Sequence, residues 1–190
     1  MKISACMMVK NEEEMLPRAL ESIKDEVDEI IVVDTGSTDR TVEIARQYTD
    51  KVYFHQWFDD FSGMRNITLS YATGDYILIL DADDEFRRMQ PDLGLREFLE
   101  KPRFNIYRFQ LENVATKNVP TSTFNQIRLF RNGMGFKYHG IVHNQFDAKG
   151  QGIAGAPFLI LHYGYGLDEE KMEQKRRRSR VKNLRGPLEF

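Results

Sequence analysis

Four carboxylates in five residues, Asp81-Ala-Asp83-Asp84-Glu85, follow directly on the apolar run Tyr76-Ile-Leu-Ile-Leu80. Like charges about 4 Å apart repel by roughly 1 kcal/mol in water and roughly 4 kcal/mol at an effective dielectric of 20, so positive charge is expected at the same point. In an extended segment, positions i and i+2 face the same way. Asp81 and Asp83 would then face one ligand while Ala82 faces the core. Hard divalent cations such as Mg2+ and Mn2+ bind through one or two carboxylates together with the phosphate oxygens of a nucleotide. Asp81 and Asp83 are therefore candidate metal ligands; the alternative is an acidic turn that faces water.

Other residues carry compatible chemistry. Asp34 ends the apolar run 27–33, where a carboxylate accepts hydrogen bonds from a nucleobase imide or a ribose hydroxyl, or caps its own turn. Asn11 and Glu12 stand at the end of the run 3–9 and are candidate substrate contacts. Arg65, in Gly63-Met-Arg-Asn66, offers a planar fork of donors suited to a diphosphate, or pairs with Asp59 or Asp60 at the surface. His143, Asp84 and Glu85 are candidate proton acceptors, with a structural histidine the competing role for His143. His162, closing the apolar run 158–162, completes a metal shell, touches the diphosphate, or is a satisfied core histidine. Trp57, Phe58 and Phe61 stack on a sugar or staple a helix to the core. No phosphate loop of the Gly-x-x-x-x-Gly-Lys type and no Gly-x-Gly-x-x-Gly fingerprint occurs, which argues against a P-loop NTPase or a dinucleotide enzyme.

These residues need a scaffold that gathers them. The runs 3–9, 27–33, 51–55 and 76–80 read as strands, two of them ending in acids. Between them lie helical patterns: Asn11 as cap before Met15, Leu16, Ala19, Leu20 and Ile23; Ser37 or Thr38 as cap before Val42, Ile44, Ala45 and Tyr48; and a helix over 62–72. Alternating strands and helices predict a doubly wound, mostly parallel α/β sheet, whose ligands bind beyond the carboxyl ends of the strands. After Glu85 a helix over 93–99 and strand-like runs at 105–114, 124–130 and 158–162 predict antiparallel additions in the C-terminal half. Residues 1–190 are expected to form one domain, with a nucleotide half over 1–85 and an acceptor half over 86–166. The segment 167–190 turns from Asp168-Glu-Glu170 to Lys175-Arg-Arg-Arg178, the order a helix dipole favours. It reads as a final helix cut short, and whether the natural chain continues stays open.

Composition bounds the partners. Of 190 residues 41% are hydrophobic, enough for a full core. A net charge of -2 gives no global field toward nucleic acid. The single cysteine, Cys6, sits in an apolar run and reads as a buried thiol in a reducing compartment. No stretch approaches the length of a transmembrane helix and no leader pattern opens the chain, so a soluble, cytoplasmic protein is expected.

Taken together, Met7-Met-Val-Lys-Asn-Glu12, Ile31-Val-Val-Asp-Thr-Gly-Ser-Thr-Asp39, Met64-Arg-Asn66 and Thr73-Gly-Asp-Tyr-Ile-Leu-Ile-Leu-Asp-Ala-Asp-Asp84 resemble the family 2 glycosyltransferases of the GT-A fold. The resemblance implies transfer of a sugar from a nucleotide diphosphate donor, usually UDP-linked, with inversion and with Mn2+ or Mg2+. It implies that Asp34 contacts the base, Asp81 the ribose or donor sugar, Asp83 the metal and Arg65 the diphosphate. Gln126-Ile-Arg-Leu-Phe-Arg131, Tyr138-His-Gly-Ile-Val-His-Asn144 and Leu161-His-Tyr-Gly-Tyr165 look like the bacterial branch that includes peptide S-glycosyltransferases. Many members of that branch carry glutamate where this chain has Asn144, which leaves the general base open among His143, Asp84 and Glu85. The acceptor, whether glycan, lipid-linked glycan or peptide, stays open, as does oligomeric state. Two other readings compete: a nucleotide-sugar binding module that lost its base, and a sugar nucleotidyltransferase. The latter would need a basic Gly-rich loop where Asn11-Glu-Glu-Glu14 is acidic.

Overall fold

The structure is a computed structural model and describes residues 1–114, 120–141 and 144–164. His143 and the predicted helix over 167–190 lie outside the described residues. The elements in order are β1 (Ile3–Val9), α1 (Leu16–Ile23), β2 (Glu29–Asp34), α2 (Thr41–Ala45), β3 (Val52–Phe54), α3 (Phe61–Ser70), β4 (Tyr76–Ile79), β5 (Asp84–Arg88), α4 (Leu95–Phe98), β6 (Ile106–Val114), β7 (Pro120–Arg131), β8 (Lys137–His139), β9 (Gln145–Asp147) and β10 (Ile153–His162).

Eight strands form one sheet in the order β3-β2-β1-β4-β7-β6-β10-β5, and β8 and β9 pair separately. β1, β2, β3 and β4 run parallel to one another. β7 enters antiparallel between β4 and β6, β10 lies parallel to β6, and β5 closes the far edge antiparallel to β10. The expected doubly wound, mostly parallel sheet with antiparallel C-terminal additions is what forms. β2 and β4 are buried along their whole length, which is why they read as unbroken apolar runs. One face packs against Leu16, Leu20 and Ile23 of α1, together with Phe109 and Phe158. The other face buries Cys6, Ile31, Ile77 and Phe130 with Leu69 of α3 against them.

β5 was not expected as a strand, and its position has a geometric consequence. β4 and β5 stand four places apart in the sheet, about 19 Å if the sheet were flat. The chain from Ile79 to Asp84 reaches at most about 17 Å when fully extended, and it contains a turn in which the Asp84 N–H donates to the Asp81 carbonyl at 3.1 Å. The sheet therefore curls until its far edge returns to the end of β4.

Three local expectations are corrected. Asn11 does not cap α1: it adopts a left-handed φ of 54°, and helix bonding starts from Glu12 and Met15 carbonyls. Asn11 instead bridges two loops, with its N–H donating to Ser37 Oγ at 2.9 Å and its Oδ1 accepting from the Thr38 N–H at 2.8 Å. The α2 start is held by Asp39, whose carboxylate accepts from the Thr41 N–H at 3.0 Å, and not by Ser37 or Thr38. Residues 81–84 form a turn, not an extended segment, although Ala82 does face the core. Gly74 is required by close approach: a Cβ there would lie 2.6 Å from Ser4 Oγ and 2.8 Å from the Lys2 carbonyl. No helix among the described residues is long and apolar enough to cross a membrane.

Candidate functional site

The curl brings the end of β10 beside the turn that follows β4, and His162 pairs in register with Asp84. The acidic turn meets its cations there. Arg65 Nη2 lies 2.8 Å from Asp81 Oδ1, and Arg128 Nη1 lies 3.0 Å from Asp81 Oδ2. Arg128 Nη2 is 3.1 Å from Asp84 Oδ2, an oxygen that also accepts the Asp81 N–H at 3.0 Å. His162 Nδ1 is 2.8 Å from Asp84 Oδ1 and 3.5 Å from Asp83 Oδ1. The Tyr163 N–H donates to the Asp83 carbonyl at 2.8 Å, and its hydroxyl donates to Glu85 Oε2 at 2.8 Å.

Charge follows from these contacts. Burial alone would raise the Asp81 carboxyl, but the Arg65 and Arg128 guanidinium groups outweigh it and hold Asp81 well below the usual carboxylate range. Burial pulls the His162 imidazole down, yet the hydrogen bond to Asp84 and the charge of Asp83 turn the balance, and its pKa is raised. Both arginines are pushed up by their carboxylates despite burial. Four acids with two buried guanidiniums and an imidazole make a compensated cluster.

Three consecutive residues of α3 build one side of the site. Met64 is fully buried in the core and Arg65 is 8% exposed. Asn66 donates to the Tyr138 carbonyl at 2.9 Å and accepts the Tyr138 N–H at 2.9 Å, which fixes β8 against the helix. The Tyr138 ring then lies 5.5 Å from the Arg65 guanidinium carbon, a cation–π platform. Asp60 caps α3 by accepting the Gly63 N–H at 2.9 Å, and Ser62 Oγ donates to the Gly140 carbonyl at 2.6 Å.

A cleft of about 320 Å³ opens over this cluster, with Glu12, Arg65, Asp81, Asp83, Asn144 and His162 in its walls. Phe61 also lines it, and its ring meets Trp57 edge-on at 4.7 Å. Asp83, Asp84 and His162 each present a ligand atom within 4.8 Å of the others. A carboxylate with an imidazole is a donor set that fits Mn2+ more readily than Mg2+. Asp34 is 2% exposed and caps its turn, accepting from the Gly36 and Ser37 N–H groups at 3.0 Å. Asp84 is almost fully buried, with both oxygens engaged. Arg65 pairs with Asp81 and not with Asp59 or Asp60. Arg128 had no role in the sequence reading; the signals for it were the excess of anions at 81–85 and the motif Gln126-Ile-Arg-Leu-Phe-Arg131.

Comparison with known proteins agrees with this picture. A TPR repeat-containing protein of Synechococcus elongatus is 41% identical over 177 residues, covering 88% of this chain and 43% of the relative. The SPbeta prophage-derived glycosyltransferase SunS of Bacillus subtilis is 29% identical over 189 residues, covering 93% of this chain and 43% of SunS. The chain thus spans less than half the length of these relatives. Among solved structures, S. aureus TarS 1–349 aligns with a TM-score of 0.60 at 18% identity, over 100% of this chain and 67% of TarS. Its complex with UDP-GlcNAc aligns at 0.56 and 19% identity, over 100% and 68%. That likeness gives the fold, GT-A. Residues 4–151 match Glycosyl transferase family 2, and this match takes in β1 through the acidic turn and on past the Asn144 wall of the cleft: the chain belongs to glycosyltransferase family 2.

Proposed function

We propose that this chain binds a nucleotide diphosphate sugar, with UDP as the nucleotide, and transfers the sugar with inversion to an acceptor nucleophile. The observation that carries this is the cleft in which Asp83 and His162 stand 3.5 Å apart beside the Arg65 guanidinium. TarS, whose fold this chain shares, is solved with UDP and with UDP-GlcNAc, which agrees with a UDP-linked donor.

Asp83 and His162 would hold a divalent cation, Mn2+ or Mg2+, which supplies Lewis-acid stabilisation of the diphosphate when bound. Asp81, expected to share the metal, has each oxygen on a guanidinium, so we assign it to holding Arg65. Arg65 faces the negative charge that grows on the departing diphosphate, the electrostatic role that commonly contributes most. Asp84 orients the His162 ring through its contact with Nδ1. Asp34, at the end of β2, and Asn11, in the loop after β1, receive the nucleoside, and Glu12 the sugar side.

In the transfer the acceptor lone pair forms a bond to the anomeric carbon, the bond from that carbon to the diphosphate oxygen breaks, and UDP leaves with the pair. The acceptor proton passes to a base. We assign this to His143, which precedes Asn144 in sequence and has an imidazole suited to taking a proton near neutral pH. Asn144 also favours a second reading, a module that binds a nucleotide sugar without transferring it. We read 1–190 as one unit with a donor part at 1–85 and an acceptor part at 86–166, working in the cytoplasm, where the free thiol of Cys6 is at home.

Incubation of the protein with a panel of UDP-sugars and Mn2+, following UDP release with and without candidate glycan, lipid-linked glycan and peptide acceptors, tests the proposal. Release with one sugar supports transfer. Tight UDP binding with no release supports the binding module, and absence of UDP binding with Mn2+ removes both.

A further inference from the structure

We propose that Arg128 is a positioning residue that fixes the acidic turn and His162 as one rigid donor-metal unit. The inference rests on the reading of the cleft as a metal and diphosphate site and adds to it a residue from the opposite half of the chain. Arg128 is 3% exposed and acts through its neighbours. One Nη reaches Asp81 at 3.0 Å and the other reaches Asp84 at 3.1 Å. From Asp81 the contacts continue to Arg65 on α3 at 2.8 Å. From Asp84 they continue to His162 on β10 at 2.8 Å. One guanidinium thereby joins the turn to both walls of the cleft.

Its backbone is suited to the task. The next residue, Leu129, pairs with Leu78 of β4 on one side and with Tyr107 of β6 on the other. Arg128 thus projects from a register irregularity in the middle strand of the sheet, held on either side by Ile127 and Leu129, which pair with Arg108 and Tyr107. A planar fork can hold two carboxylates in two directions at once, whereas a lysine ammonium is a point charge that keeps the charge but not the geometry. Arg128→Lys therefore separates positioning from simple neutralisation.

Calorimetric titration of wild type and Arg128→Lys with uridine, with Mn2+ alone, and with UDP in the presence of Mn2+ tests this. In wild type, failure to bind UDP with Mn2+ would count against the functional reading itself. Given wild-type binding, Arg128→Lys should lose at least tenfold in affinity for Mn2+ and for UDP with Mn2+, while uridine binding stays within about twofold. Equal losses for uridine and for UDP with Mn2+, or wild-type affinity throughout, would overturn the inference. Should Arg128→Lys not fold, Arg128→Gln, which keeps N–H donors at that point without touching Asp84 or His162, takes its place in the same titrations. A folded Arg128→Gln with Mn2+ and UDP affinity lost at least tenfold and uridine binding kept supports the role, and wild-type affinity for Mn2+ refutes it.

Discussion

Asp83 carries the sharpest single-residue prediction. Its carboxylate stands among three other acids with the His162 imidazole 3.5 Å away, so Asp83→Ala exchanges relieved repulsion for a lost imidazole contact and removes the metal ligand proposed above. Mn2+-dependent UDP binding should fall more than a hundredfold by calorimetry, with the thermal midpoint unchanged or slightly higher, the stability change staying within about 1 kcal/mol. His162 gives the pH dependence. Its pKa is raised above 6.5 in the folded protein, so in metal-free protein its pairing with Asp84 stabilises fully below that value. The contribution disappears as pH rises through the raised folded value. Metal binding has the opposite slope, because a cation needs the neutral imidazole. Mn2+ affinity should fall about tenfold per pH unit below the folded pKa, and His162→Gln should flatten that slope. At this scale the acids were legible, because four within five residues are conspicuous, and so was the need for nearby cations. Arg65 was legible from its short distance in sequence. Arg128 was not, since its partners are 47 residues away for Asp81 and nothing local marks a strand arginine as buried.

Among the elements, α3 does most to shape the site, and its sequence Met64-Arg-Asn66 divides the work among core, cleft and neighbouring strand. Asn66→Ala leaves the Tyr138 N–H and carbonyl without their side-chain partners. It should cost about 2 kcal/mol in denaturant unfolding and speed amide exchange at Tyr138, with a secondary loss of UDP binding as β8 leaves Arg65. The turn before β4 is equally constrained. Gly74→Ala drives a Cβ into the backbone of β1, with Ser4 N at 2.9 Å as well, and should destabilise by about 1–3 kcal/mol with little effect on residual nucleotide affinity in the folded fraction. Element type was well marked where runs are apolar on both faces. Helix starts were not: Asn11 has the chemistry of a cap, and the same amide oxygen serves equally well to bridge two loops. β5, with the sequence Asp84-Glu-Phe-Arg-Arg88, hid because an edge strand shows too little apolar pattern.

For the whole molecule, the two halves expected from sequence share one sheet and one site. Arg65 and Asp83 come from the first, and Arg128 and His162 from the second. A fragment of residues 1–85 would leave β4, buried along its length in the intact chain, with no partner on its β7 side. We expect that fragment to be insoluble or aggregated in size-exclusion chromatography, and mixing with 86–190 from denaturant to restore a soluble complex.

The insertion of β7 between β4 and β6 also bears on how the chain is made. A ribosome delivers β1 to β4 early, yet the middle of the sheet stays open until Arg131 has left the exit tunnel, and the curl cannot close until β10 follows. For that interval the most apolar strand in the protein is a bare edge in a crowded cell, and the acids beside it are uncompensated by Arg128. The same four carboxylates, mutually repelling before their cations arrive, would then discourage two nascent chains from pairing along that edge.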